Sequence, residues 1–251
     1  VIALRLARAA VMAAAGGVVT LAQLSLPSER FWGGQVPLQW ASVLVLASYI
    51  CYDAVLSVNY AVQAGRIQDY DNDIRAALSA MISTMVLSTG VSWDEVGVHY
   101  YHRRGVLHRR RLVRVGAIQA GAGITDTQRA FRPGFGIAGT AFSGQEIVAK
   151  EWRRFVRDAT HQGREAWEER SVDDRFGLDW GQLRRSAQPE GIVASPTFAP
   201  DGRPNGCILV TGPFKEQDLT SDETRNALDD LATTLDILGP PPPGWWGAHE
   251  R

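Results

Sequence analysis

Polar and apolar positions divide this chain sharply. Residues 9–26 contain no charged side chain and residues 36–62 contain only Asp53, whereas everything beyond Arg66 is densely charged. At about 1.5 Å per residue, either run is long enough as a helix to cross a hydrocarbon core of roughly 30 Å. Between them Pro27, Gly33, Gly34 and the aromatic pair Phe31 and Trp32 read as a tight turn, with Trp32 and Trp40 at headgroup level. A signal peptide is the competing reading of the first run, because Arg5 and Arg8 precede an Ala-rich stretch. Its length, and its end at Leu24, Ser25, Leu26 and Pro27 in place of a small-x-small cleavage site, argue against that. Arg5 and Arg8 precede the first run, Arg66 and Arg75 follow the second, and only Arg30 beside Glu29 lies between. This bias predicts a multi-pass cell-membrane protein with both ends cytoplasmic.

The first run places Ala9, Ala13, Gly16, Gly17 and Thr20 on one side, a small-residue face that lets helices approach closely. On the second, Ser42, Tyr49, Asp53, Ser57 and Tyr60 share a stripe. A carboxyl within a span is costly, so Asp53 is either a working residue or one bonded to Tyr49, Ser57 or Gln23 as glue for a helical bundle. Both readings predict self-association, with Ala13, Gly17 and Asp53 at the contact.

Residues 64–88 carry Ile67, Tyr70, Ile74, Leu78, Met81, Ile82, Met85 and Val86 at steps of three and four, an amphipathic helix continuing from the second span. Gly65 is a hinge between them or a tolerated helix glycine. Past Gly90 the period changes to alternation. Val96, Val98 and Tyr100 alternate with Gly97, His99 and Tyr101, Arg103 to Gly105 turn, and residues 107–118 resume an extended pattern, which predicts an antiparallel strand pair. A Gly-rich passage from Gly121 follows, then Pro133 to Gly139 leading into an extended segment, and a short strand over 146–149. Residues 150–188 form a charged excursion holding Trp152, Phe155, Trp167, Phe176 and Trp180. Strands over 191–198 and 207–211 flank a turn, and a closing helix over 221–238 has Leu228, Leu231, Leu235 and Leu238 as its apolar face. The Pro-rich tail from Pro240 is expected to be mobile.

Formal net charge is −1, which argues against nucleic acid as the partner. The two cysteines, Cys51 and Cys207, fall in different parts of this plan, so no disulfide or cysteine metal site is expected. A phosphate loop, a nucleophile elbow, zinc spacing and a dinucleotide fingerprint are all missing, and the chain is expected not to be an enzyme. His99 and His102, three apart on a strand, point to opposite faces and cannot share a metal. Gly134, Gly136 and Gly139 echo a Gly-rich loop, but turn requirements explain them better.

Three stretches, in this order, resemble the GAF domain family over residues 66–238. They are Pro133-Gly134-Phe135-Gly136-Ile137-Ala138-Gly139; Gly191-Ile192-Val193-Ala194-Ser195-Pro196 with Gly206-Cys207-Ile208-Leu209-Val210; and Phe214 to Leu235, where acids precede an apolar-faced helix. The resemblance implies an α+β fold, a central antiparallel sheet with helices on one side and a pocket on the other, used for small-molecule sensing and dimerisation. Here an all-α two-helix transmembrane hairpin would precede it. The division expected is 1–63 hairpin, 64–90 connector, 91–239 GAF-like domain and 240–251 flexible tail. The Asn-Lys-Phe-Asp-Glu signature of the cyclic-nucleotide branch is absent and no cysteine is placed to hold a bilin, so the cofactor or ligand is unknown. Residues 150–188 would sit over the family's pocket as a lid.

Two surfaces are candidates for binding. Arg103, Arg104, Arg109, Arg110, Arg111 and Arg114, with His102 and His108 and no acid between His99 and Val115, would meet lipid headgroups, the phosphates of a ligand, or solvent alone. Trp152, Trp167, Phe176 and Trp180 would close a pocket over a planar ligand or form the excursion's own core. The ligand residues expected are therefore Tyr101, Arg109, Arg111, Phe135, Trp152, Trp167 and Trp180. The leading reading is a membrane-anchored sensor that binds a small ligand or a signalling protein and acts through homodimer or higher homo-oligomer packing. The alternatives are a ligand-gated effector whose helices disrupt the membrane lipid, and a structural tether.

Overall fold

The computed structural model describes residues 2–105, 110–119 and 130–249, with the backbone alone for 2–8. The chain divides into two compact units, Val1–Arg66 and Ile67–Arg251. His108, Arg109 and the Gly-rich passage from Gly121 lie outside the described residues.

The first unit holds α1 (Ile2–Gln23), the short α2 (Glu29–Gly33) and the beginning of α3 (Val36–Thr89). Among the described helices α3 is the one long and apolar enough to cross a membrane, and the apolar part of α1, Ala9–Gln23, is shorter. The expected turn is a capped helix. The Ser28 hydroxyl accepts the Phe31 N–H (3.3 Å), with Glu29 at the positive end of the helix. Trp32 is buried and donates its indole N–H to the Leu26 carbonyl (2.7 Å), whereas Trp40 is exposed. On α1 Ala15 is buried, Gly17 half-buried and Ala13 exposed. On α3 Ser42 is buried and Tyr49 half-buried, but Asp53 is exposed and forms none of the expected bonds to Tyr49, Ser57 or Gln23. α3 includes Gly65 within its span.

The second unit is built on a six-stranded sheet in the order β3-β2-β1-β6-β5-β4. Its strands are β1 (Gly97–Arg104), β2 (Arg111–Gln119), β3 (Ala130–Phe131), β4 (Val148–Lys150), β5 (Gly191–Phe198) and β6 (Pro204–Gly212), and every neighbouring pair is antiparallel. Alternation along β5 and β6 sorts their side chains between two cores. Val193, Ile208 and Val210 join Tyr70, Ile74, Leu78, Met81, Ile82 and Met85 of α3 and Leu228, Leu231 and Leu235 of α8 (Asp222–Leu238). Ile192, Ala194, Cys207 and Leu209 join the opposite core, covered by α4 (Gly136–Gly144), α5 (Trp152–Glu169) and α6 (Trp180–Arg185). Helices therefore lie on both faces, where the resemblance implies one. The Ser221 hydroxyl caps α8 by accepting the Thr224 N–H at 3.2 Å, and α7 (Glu216–Thr220) precedes it.

Two expectations are corrected here. The segment after Pro133 is helical, not extended. Its glycines disfavour a helix in isolation, but tertiary bonds fix the first turn: Gly134 N–H donates to the Gly139 carbonyl and Gly136 N–H to the Phe176 carbonyl, both at 2.8 Å. Ile137, Ala138, Ala141 and Phe142 then bury one face. The Pro-rich tail is not free. α9 (Trp245–His249) folds back, and Trp245 is 2% exposed in the α3–α8 core. Burying one indole offsets the entropy of ordering a short strap, on the order of 4 kcal/mol of apolar transfer at the upper bound.

Candidate functional site

The excursion between β4 and β5 carries a kink and a tight turn. α5 kinks at Gly163, whose φ of 89° and ψ of 174° lie outside the helical region, and Arg170 reaches back across the kink to the Gln162 side chain (2.5 Å). The following turn holds Phe176 at a φ of 51°, unusual for an aromatic residue. Three backbone bonds maintain it: Phe176 N–H to the Asp173 carbonyl (3.0 Å), Gly177 N–H to Val172 (2.9 Å), and Gly136 N–H to Phe176 itself (2.8 Å). An Asp179–Gln182 capping box starts α6.

This folding opens a cleft of about 600 Å³ lined by residues of α4, β4, α5 and the Phe176 turn. Such a volume is within the range of small-molecule sites, roughly 300–1,000 Å³. Phe155 and Phe176 supply aromatic surface, their rings 5.4 Å apart. Half-buried Lys150 and Arg170 supply positive charge, and Glu146, Asp173 and Asp174 are exposed carboxylates. The Arg170 guanidinium lies over the rings of Trp167 (5.3 Å) and Phe155 (5.8 Å), which holds its charge at the cleft wall. Lys150 has no ion-pair partner among the described residues.

The expected ligand residues do not line this cleft. Tyr101 is fully buried against Phe131 at 5.0 Å. Trp152 stacks on Phe155 at 5.2 Å and donates to the Ala187 carbonyl (3.0 Å), and Trp167 donates to that of Leu178 (3.3 Å). Phe135 and Trp180 are half-buried against the same core. Arg109 lies outside the described residues and Arg111 is exposed on β2. The excursion's aromatics form its own core, and Phe155 and Phe176, at the edge of that core, are the ones that reach the cleft. The usable signal was the pair of cations at the ends of elements, Lys150 and Arg170.

The basic hairpin is likewise not a single patch. Tyr100 pairs with Gly116 but Tyr101 with Arg114, so Val115 is an extra residue that turns the strand over. Arg103 and Arg114 thereby fall on the α5 face of the sheet. Arg104, on the other face, packs over the Trp246 ring at 4.8 Å. His99 faces Tyr101 (6.4 Å) and His102 faces Tyr100 (6.3 Å), on opposite sides of β1. Burial lowers the pKa of the His102 imidazole.

No family model and no curated protein matches the chain. Solved structures do. GAF-domain proteins are among the structures it is similar to. A putative GAF sensor protein from Burkholderia vietnamiensis is 15% identical, with 67% of this chain and 86% of that one covered and a TM-score of 0.34. The GAF domain region of a putative membrane protein from Geobacter sulfurreducens PCA is 13% identical over 68% and 98%, with a TM-score of 0.39. A type II free methionine-R-sulfoxide reductase from Thermoplasma acidophilum is 15% identical over 66% and 94%, with a TM-score of 0.39.

Proposed function

We propose that the chain is a membrane-anchored sensor whose second unit binds a small charged ligand in the cleft between β4 and the Phe176 turn. The observation that carries this reading is the pairing of Phe155 and Phe176 with two half-buried cations, of which Lys150 has no ion-pair partner among the described residues. The aromatic face favours a ligand with a flat or apolar body, and Lys150 and Arg170, set among the exposed carboxylates Glu146, Asp173 and Asp174, offer contacts to an anionic group on it. The lining supplies groups that hold a ligand. The thiol of this unit, Cys207 on β6, is buried in the core beneath α4, α5 and α6, where burial raises its pKa and leaves it inert as a nucleophile. On this reading α1 and α3 form a two-span hairpin with both ends cytoplasmic, the protein is not an enzyme, and the signal is a change in homodimer packing.

Native mass spectrometry of the full-length protein in detergent, followed by thermal shift against nucleoside phosphates and carboxylates, tests the reading. A retained or stabilising anion whose effect is lost in both Lys150→Ala and Arg170→Ala supports it. An empty, unresponsive dimer would redirect the reading to a protein partner, and a ligand unaffected by either substitution would place the site elsewhere.

A further inference from the structure

The walls of the cleft carry charges of both signs that do not neutralise one another. On the β4 side stand the Glu146 carboxylate and the Lys150 ammonium; on the side of the Phe176 turn stand the Arg170 guanidinium and the carboxylates of Asp173 and Asp174. Among the described residues no ion pair joins any of these cations to any of these carboxylates. Arg170 is held instead by the Gln162 side chain and by the rings of Phe155 and Trp167. Asp174 is held by the Ser171 hydroxyl, which donates to Oδ2 at 2.7 Å and accepts the Asp174 N–H at 3.1 Å. These neighbours are uncharged, so they fix the two side chains without cancelling either charge. Glu146 and Lys150 are four positions apart, with residues 148–150 extended in β4, where each residue advances about 3.3 Å. Their charged ends therefore leave the wall at separate points.

We infer, resting on the reading that this cleft is the ligand site, that its ligand is a zwitterion: a small molecule with an anionic and a cationic group on one flat or apolar body. Two cations against three carboxylates leave the lining with one negative charge in excess. A simple anion reaches Lys150 and Arg170 only by approaching the carboxylates as well, and a simple cation meets the reverse conflict. A ligand with both charges answers both sets and brings no net charge against the excess. Like-charge approach thus selects against the singly charged analogues, while charge-assisted hydrogen bonds at two points fix the orientation of the ligand that fits. Its body lies against Phe155 and Phe176, whose rings are 5.4 Å apart. α-Amino acids with large apolar side chains are the simplest compounds of this class.

Calorimetric titration of the full-length protein in detergent with three probes that share one body tests this: phenylalanine, phenylpropanoate, which lacks the ammonium, and phenylethylamine, which lacks the carboxylate. Phenylalanine should bind about tenfold more tightly than either analogue, the gain from one added charge-assisted contact. Glu146→Gln, and the double substitution Asp173→Asn with Asp174→Asn, should weaken phenylalanine and tighten phenylpropanoate, a crossover that a loss of folding cannot produce. Lys150→Ala should weaken both and tighten phenylethylamine. Phenylpropanoate binding as tightly as phenylalanine, with both lost in Lys150→Ala, overturns the zwitterion and leaves an anion site standing. Phenylalanine binding unchanged in every variant overturns it by placing that contact outside the cleft. Silence from all three probes overturns it too, and the ligand-site reading falls with it only if nucleoside phosphates and carboxylates are also silent.

Discussion

The hydroxyl of Tyr70 donates to the carbonyl of Gly239, 169 positions further along the chain, at 3.2 Å. One bond thus ties the start of the second unit's α3 face to the residue that ends α8. Burial, then the fields of Tyr100 and Asp71, push the Tyr70 pKa up, so it stays a donor at any physiological pH. Tyr70→Phe should destabilise the second unit by about 1 kcal/mol, read as a lower denaturant midpoint by near-ultraviolet circular dichroism. An unchanged midpoint would mean that the bond contributes nothing net.

His102 predicts a pH dependence of stability. Burial lowers its pKa, while the Arg103 carbonyl, 3.0 Å from Nδ1, raises it to a lesser degree. The unfolded chain therefore binds the proton more readily than the folded one, and stability is present above the ordinary imidazole range and lost as pH falls. Melting temperatures between about pH 7.5 and 5 should drop more in the wild type than in His102→Asn. Parallel curves would remove His102 from the account.

Gly139 and Gly163 should respond differently to alanine. A Cβ on Gly139 would run into the Arg132 carbonyl and come within 3.3 Å of the Gly134 nitrogen, so the turn before α4 must move. Gly163 has open space, and its cost is its φ of 89° alone. Gly139→Ala should cost about 2–3 kcal/mol and deform the cleft wall at Thr140. Gly163→Ala should cost about 1–2 kcal/mol with the unit otherwise intact. Unfolding midpoints of the two variants decide the order.

Cys207 should be silent to thiol reagents in the folded protein. It is fully buried under the α5 face of the sheet, and desolvation raises its pKa well above the usual thiol range. In a Cys51→Ser background, maleimide should modify the chain only after denaturation. Rapid native labelling would show that β6 is exposed.

Alternation and helical periodicity made β1, β5, β6, α3 and α8 legible in the sequence, because each buries a face whose spacing its own residues set. α4 was not legible, since glycines at 134, 136 and 139 mimic a loop and the helix is held by the Phe176 carbonyl, far along the chain. The tail was misread for the same reason: four prolines argue for mobility, and the Asp71 carboxylate that receives Trp245 is 174 positions away. At the cleft, aromatic content pointed to Trp152 and Trp167, but the largest side chains fill the core and leave the cleft to smaller neighbours at its edge. Charge at element ends, Lys150 and Arg170, was the better signal, and no local periodicity marks it.

The extra residue at Val115 is slack in the frame of β2. Tyr100 stands opposite Gly116 and Tyr101 opposite Arg114 whether or not a residue lies between them, so deleting Val115 would close the ladder with every partner kept, and Leu112 would stay in its core. The loss would be local: the Val115 side chain from the α3–α8 core, and the added twist that a bulge gives its strand. A deletion in β1, which has no spare residue opposite β6, would instead exchange the faces of every residue beyond it.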